Sequence, residues 1–373
     1  MTDRAAAVDL VVVGGGAMGL ATAWHAAAAG TVVLLERFAL GHDRGASHGG
    51  ERIFRHAYTD RAYVDMALAA EHGWAELGRL AGRPLIHRVG CVEHGAGTEM
   101  DALAATCAAA GVVTERLSAR EAERRWPALR FAGDVLVQPA AGWVRAADGV
   151  AALARGARRR GAVLHDRTPV AAIEPGGGPR DGAEGVRVTA ADGRAWEAPV
   201  AVVAAGAWAA TLLPGLGWPP LLTTEENVFF FRPRGGPEAP SLPAFIHWQG
   251  LDRYGLPGPE GLVKVGEHHA GVPTTGDTRS GVPEPARRAR VERYVAEWVP
   301  GLVPEAVAAS TCLYTTTPTQ DFVLDRVGPL VVATGFSGHG FKFVPEVGRR
   351  LAALAAGTEA PMPPFTLASH ARR

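Results

Sequence analysis

Six residues constrain this chain more than any others. They are Gly14-Gly15-Gly16-Ala17-Met18-Gly19, set between the β-branched run Val11-Val12-Val13 and an alanine-rich segment that reads as a helix to Gly30. Val32-Val33-Leu34-Leu35 then forms a second buried strand that ends at Glu36. Each part has a physical task in binding a dinucleotide. Gly14 makes the tight turn, Gly16 lets the backbone approach a pyrophosphate, and Gly19 lets the helix lie close on the strands. The helix N-terminus offers unpaired N–H groups to phosphate charge, and Glu36 can accept hydrogen bonds from a ribose diol. A lone G-x-G-x-x-G is weak in a chain with 47 glycines. Strand, loop, helix and acid in this order make it strong, and a glycine-rich surface turn would leave Glu36 unexplained.

The rest of the chain alternates between two kinds of element. Gly45 to Tyr58 carries Arg52, Arg55, His48 and His56 around Ile53 and Phe54, and reads as a loop entering a helix or extended turn. Ala62 to Leu80 has helical periodicity. Leu85 to Val92 is extended and opens a second domain. Thr98 to Ala110 is a helix with Cys107 as a small buried hydrophobe. Ser118-Ala119-Arg120-Glu121 is a capping box opening a short helix that Pro127 stops, and Asp134 to Gln138 is a strand. Val144 to Gly161 reads as a loop and a helix. Strands at Ala162 to His165 and Val170 to Ile173 return to the first domain, followed by a hairpin turning at Asp192-Gly193 and a buried strand, Val200 to Ala204. Beyond a linker at Pro214 to Pro220, the runs at Glu226 to Arg232, Phe245 to Trp248, Arg253 to Leu256 and Leu262 to His268 predict a mostly antiparallel sheet. A helix follows at Glu284 to Trp298. The close repeats the opening: Phe322 to Asp325, the buried run Leu330 to Thr334, a second glycine turn holding Gly335, Gly338 and Gly340, and a helix from Pro345 to Ala356. The expected fold is therefore α/β (α+β overall). A discontinuous Rossmann-like nucleotide domain (1–86, 143–213 and 322–373) carries an inserted antiparallel-sheet substrate domain (87–142 and 214–321).

Composition excludes several function classes. Basic and acidic residues balance at 38 each, so nothing suggests a grip on nucleic acid or an anionic membrane. No apolar run approaches the ~20 residues of a membrane span. The first apolar run contains Asp9 and flows into the glycine loop, unlike a signal peptide. Three cysteines, Cys91, Cys107 and Cys312, are too few and scattered for a disulfide frame or a metal site. The expectation is a cytoplasmic protein with a small-molecule substrate and no metal. Of the 38 basic residues only Lys264 and Lys342 are lysines. Arginine and lysine differ in shape, hydration and ability to lose a proton, so a site that needs a compact ammonium would resist replacement. Chance survival is the bland alternative.

Five stretches together resemble the monomeric sarcosine oxidase and N-methyltryptophan oxidase family, flavoproteins that oxidise secondary amino acids. They are GGGAMG with Glu36, SHGGERIFRHAY, RYG followed by KVGEH, TCLYT with DFVLD, and GFSGHGFKF. The resemblance spans nearly the whole chain. It implies FAD held covalently through the sulfur of Cys312, with Gly335 and Gly340 among the residues around the cofactor. It implies that Arg55 and Lys342 grip a substrate carboxylate beside the Gly338 backbone, and that Lys264 assists oxygen near the flavin. Arg52 and His48 match residues along the flavin face opposite the substrate, and Tyr254, His268 and Tyr314 match the walls of the substrate cavity. A monomer converting sarcosine, O2 and water to glycine, formaldehyde and hydrogen peroxide is the implied enzyme.

The chain departs from the family pattern at Gly50 and Glu51, where an acid and a threonine are expected. Glu51 either alters redox tuning beside Arg52 or points outward. The segment Pro237 to Asp252 bears little resemblance and brings His247 and Trp248 towards the pocket. Three alternatives stay open: an oxidase of a bulkier secondary amino acid (N-methyltryptophan, pipecolate or proline, or a fructosyl amino acid), a dehydrogenase passing electrons to a carrier, and a non-catalytic nucleotide-binding protein.

Overall fold

Runs buried on both faces belong in parallel sheets covered by helices, and that is where the valine-rich segments lie. The computed structural model describes residues 5–95, 98–176, 185–236, 242–258 and 261–371. Leu10–Val13 and Val32–Leu35 pair in parallel at the middle of a six-stranded sheet. Val163–His165 adds beyond Val32–Leu35, while Val200–Val203 and Leu330–Thr334 extend the other side in parallel. Val323–Val327 closes the edge antiparallel to Leu330–Thr334. The two ends of the chain thus share one sheet.

Small residues let the helices close on this sheet. The helix Ala17–Ala26 packs against Val344–Ala356 so closely that a Cβ on Gly348 would lie 2.3 Å from the Ala21 Cβ. The alanine richness of the first helix is therefore a packing requirement. It ends at Ala26 rather than reaching Gly30, because residues 27–29 form a turn before the next strand. Trp24 and Trp74 are fully buried, Trp24 over Gly156 and Trp74 over Gly149.

The second large sheet runs Val272–Pro273, Leu222–Phe231, Val263–Glu267, Arg253–Pro257, Ala244–Trp248, Cys91–Gly95, Val135–Gln138 and Glu115–Leu117, with Ala308–Thr316 paired to Leu222–Phe231. All its described pairs are antiparallel except Ala244–Trp248 with Cys91–Gly95. The helix Pro285–Trp298 covers one face, and the capping box at Ser118 and Glu121 opens Ala119–Arg125 as expected.

Two expectations need correction. Glu51–Phe54 is a strand rather than a loop entering a helix, and the start of the expected loop at Val144 belongs to the strand Gly142–Arg145. Gly142–Arg145 is the middle strand of a three-stranded sheet, with Glu51–Phe54 on one side and Ile86–His87 on the other. Charged residues hid the first strand, since Arg52 and Ile53 do not read as an alternating buried surface. The part of the unfamiliar segment at Pro237 to Ser241 lies outside the described residues. Among the described residues no helix is long and apolar enough to cross a membrane, and no cluster of metal ligands forms.

Candidate active site

One cavity of about 1070 Å³ runs from the glycine loop to the inner face of the nine-stranded sheet. Gly14 holds φ at +108°, and a Cβ there would lie 2.5 Å from the Ala204 carbonyl oxygen, so only glycine fits the turn. A Cβ on Gly19 would sit 1.9 Å from the Gly14 carbonyl oxygen, which is why the helix can lie directly on the strand. Gly16 caps that helix at the cavity wall. The Ala17 amide, one of the free donors of the helix start, bonds Ser47 Oγ at 2.9 Å. The Glu36 carboxylate lines the cavity and accepts from the Gly15 amide at 2.6 Å and the Phe38 amide at 2.7 Å. His42 Nε2 lies 3.3 Å from Oε1, and Oε2 keeps a second lone pair for a ligand hydroxyl. This cradle fits a dinucleotide: a sharp backbone turn no side chain could share, donors at a helix start, and a fixed acid opposite.

At the other end, two strands aim side chains by their period of two. In Val263–Glu267, Val263 and Val265 enter the apolar core, so Lys264 faces the cavity and Gly266 lies under the Tyr254 ring. Lys264 is buried; its Nζ donates to the Glu51 backbone oxygen at 2.7 Å and lies 3.3 Å from Glu51 Oε1. Burial and the Arg52 guanidinium push its pKa down to about 8, against the pull of the Glu51 carboxylate. Glu51 therefore points inward, to Lys264. Arg52 bonds the carbonyls of Ala46, His48 and Glu51 and lies over the Phe341 ring at 5.5 Å. His48 lines the same wall with a buried, unpartnered Nε2, and burial with Arg52 pushes its pKa down to about 4.

Arg55 and Lys342 converge on Tyr58. The Arg55 guanidinium stacks 4.3 Å from the Tyr58 ring centroid, and Lys342 Nζ donates to the Tyr58 hydroxyl and the His339 carbonyl, each at 2.7 Å. Burial opposes the Arg55 charge, but Glu93 at 3.3 Å and Tyr58 outweigh it and hold the guanidinium above its ordinary value. Lys342 has no carboxylate partner among the described residues, and burial beside Arg55 holds its pKa well below the usual lysine range. A group in that state gains strongly from an incoming anion.

The walls between are aromatic. Tyr254 and Tyr314 hydrogen-bond to each other, and burial raises both phenols. His268 lies 5.5 Å from the Tyr314 ring and 6.5 Å from Tyr254; burial and the neighbouring His269 push its pKa down to about 3. Gly338 adopts φ of +76°, and a Cβ there would strike the Tyr314 ring at 2.2 Å. Gly335 and Gly340 line the cavity on the same turn. Cys312, a free thiol, also lines it, with Sγ 3.8 Å from the Ala46 oxygen.

The cofactor and substrate residues that the fingerprint and the resemblance imply all line this cavity except Gly19, which lies behind it against Gly14. His247 is elsewhere. It stacks on His94 at 4.1 Å and abuts Trp298 on the far face of its strand, while Trp248 reaches the cavity. Sequence reasoning missed Ser47, Tyr58, Glu93 and Gln138. Glu93 is fully buried yet satisfied by Arg55, Gln138 and Trp248. An acid directly after Cys91-Val92 in an extended segment was the available signal.

The family model described as FAD dependent oxidoreductase matches residues 9–354. The chain is 37% identical to the monomeric sarcosine oxidase of Streptomyces avermitilis over 94% of each chain. It is 34% identical to the peroxisomal sarcosine oxidase of Homo sapiens, over 92% of this chain and 90% of that protein. Among solved structures, the open form of NikD, described as an unusual amino acid oxidase essential for nikkomycin biosynthesis, superposes with a TM-score of 0.82 at 28% identity, over 96% of both chains.

Proposed function

We propose that this chain, which belongs to the FAD dependent oxidoreductase family, oxidises a secondary amino acid at the expense of O2, with sarcosine as the first candidate. The observation that carries the reading is the pair Arg55 and Lys342, two buried cations about Tyr58 at the cavity end remote from the glycine loop. Such a pair recognises a carboxylate: the guanidinium offers a planar fork and the ammonium a point charge. The likeness to two sarcosine oxidases supports the substrate class.

FAD supplies hydride acceptance from the substrate carbon and the later two-electron reduction of O2. The chain's residues do the rest. Arg55 and Lys342 hold the carboxylate, and the Gly338 backbone, kept bare by the Tyr314 ring, bounds the space beside it. Tyr254, Tyr314 and His268 shape an apolar wall and remain uncharged at neutral pH. No side chain needs to act as a base if the amine enters unprotonated, so positioning and electrostatics carry the rate. Water then hydrolyses the imine; from sarcosine this gives glycine and formaldehyde, with hydrogen peroxide from O2. Lys264 provides fixed positive charge where O2 gains its first electron. That role favours an oxidase over a dehydrogenase.

Cys312 is the proposed covalent anchor. Its free thiol borders the cavity beside Ala46. Its sulfur would hold the 8α carbon of the ring, the thiol proton and one methyl hydrogen being lost with two electrons that O2 would take up. We read the six-stranded sheet as the nucleotide-binding domain and the nine-stranded sheet as the inserted substrate domain. We also read the protein as a cytoplasmic monomer.

Trp248 supports a second reading. Its ring lies 5.8 Å from the Arg55 guanidinium and lines the cavity, offering an aromatic face to a substrate larger than sarcosine. Peroxide release measured across sarcosine, N-methyltryptophan, pipecolate, proline and a fructosyl amino acid separates the two. Turnover confined to the large substrates selects the second.

A further inference from the structure

We propose that Glu51 is a positioning residue for Lys264: its buried carboxylate holds the ammonium in place and keeps it charged inside the cavity. The inference rests on the reading of Lys264 as the cation that assists O2. At this place the chain departs from the pattern the resemblance implies, with Gly50 and Glu51 standing where an acid and a threonine are expected.

The geometry is specific. Glu51 and Lys264 are 3% and 5% exposed. Lys264 Nζ is held twice by the same residue, through the Glu51 backbone oxygen at 2.7 Å and Oε1 at 3.3 Å. Glu51 Oε1 is buried without a hydrogen-bond partner, so Lys264 is the charge it faces. Two strands of different sheets fix the pair: Glu51–Phe54 is pinned by Gly142–Arg145, and Val263–Glu267 lies between Leu222–Phe231 and Arg253–Pro257.

The surroundings explain why a carboxylate is needed. Arg52, next in sequence, brings a second cation towards Lys264, and burial penalises both. Two close cations without a counter-charge would drive the stronger acid of the two, the ammonium, to lose its proton. Among the other groups near Lys264, none matches the Glu51 carboxylate as a counter-charge. Cys312 on Ala308–Thr316 adds a pull that ranks below that of Glu51, Tyr254 on Arg253–Pro257 is held protonated by burial, and the paired residues Phe230 and Leu256 are apolar. Glu51 raises the lysine's proton affinity, and the balance leaves it at about 8. The chain thereby carries a guanidinium, an ammonium and a carboxylate at one end of the flavin cavity, with a net charge of one rather than two.

The test uses the flavin-loaded enzyme and follows its midpoint potential and its rate of reoxidation by O2 from pH 6 to 10. Reduction adds negative charge to the ring system, so the Lys264 proton is held more tightly afterwards and its loss appears as a break in the plot of potential against pH. In the native protein the break is expected near pH 8, with reoxidation slowing above it. Glu51→Gln should move both to lower pH by about one unit or more, the size expected for removing an adjacent opposite charge. Glu51→Asp should restore part of the shift, which a purely structural role would not do. Glu51→Thr serves if the glutamine variant folds poorly. A break absent in Lys264→Met but unmoved in Glu51→Gln and Glu51→Thr overturns the proposal and leaves the lysine's role intact. A break that persists in Lys264→Met overturns both.

Discussion

The Lys342 ammonium donates a 2.7 Å hydrogen bond to the Tyr58 hydroxyl, and the same ring carries the Arg55 guanidinium on its face at 4.3 Å. Tyr58 therefore stands between two buried basic groups, its ring against one and its hydroxyl against the other. The phenol oxygen remains protonated, raised by burial, so it accepts from Lys342 without adding a charge of its own.

Removing one of these cations should weaken substrate binding. Lys342→Ala is expected to raise the dissociation constant of a carboxylate substrate about 10- to 100-fold, the loss of one charge-assisted hydrogen bond of ~1.5–3 kcal/mol. Anaerobic titration of the flavin spectrum measures it. Tyr58→Phe keeps the ring face and should cost less. Unchanged affinity in Lys342→Ala contradicts the proposed clamp.

Binding should also depend on pH with a definite sign. Burial and Arg55 lower the proton affinity of Lys342, and a bound carboxylate raises it again. The complex therefore holds the proton more tightly than the free protein, and affinity must fall as pH rises through the free lysine's depressed value. His48 and His268, at about 4 and 3, stay neutral above pH 5 and add no inflection between pH 5 and 8. Propionate, which has no amine to titrate, is a suitable probe. Affinity that rises with pH over that range is inconsistent with this electrostatic picture.

Lys264→Met should separate the two half-reactions. Stopped-flow mixing is expected to show flavin reoxidation slowed about 10²- to 10³-fold, the scale of losing one preorganised charge. Reduction by substrate should change far less. Equal slowing of both steps removes the assignment to O2.

The proposed covalent link has a simple signature. Native protein precipitated with acid and washed should stay yellow, and Cys312→Ser should release its colour to the supernatant while the folded variant still binds flavin. Colour lost from the native pellet sinks the tether and leaves flavin binding untouched.

The nucleotide end was legible because backbone geometry there demands glycine: no other residue fits between Gly14 and Ala204 or between Gly19 and Gly14. The two lysines were legible against an arginine-rich background, and both are buried at the cavity. The strand Glu51–Phe54 was not, because its polar residues face a cavity rather than solvent and so imitate a loop. The orientation of Glu51 was left open for the same reason: an acid beside an arginine reads as a surface pair until the third charge, from a strand 213 residues away in sequence, is in view. His247 was drawn to the pocket by its neighbour Trp248, although the alternation of a strand sends the two to opposite faces.

The most direct measurement is anaerobic addition of sarcosine, and in parallel of each bulkier secondary amino acid, to the purified yellow protein, followed by air. Bleaching of the flavin absorbance by at least one of them, rapid recovery in air and one hydrogen peroxide per substrate consumed are expected. A flavin that no secondary amino acid bleaches, or that stays reduced when air is admitted, contradicts an amine oxidase.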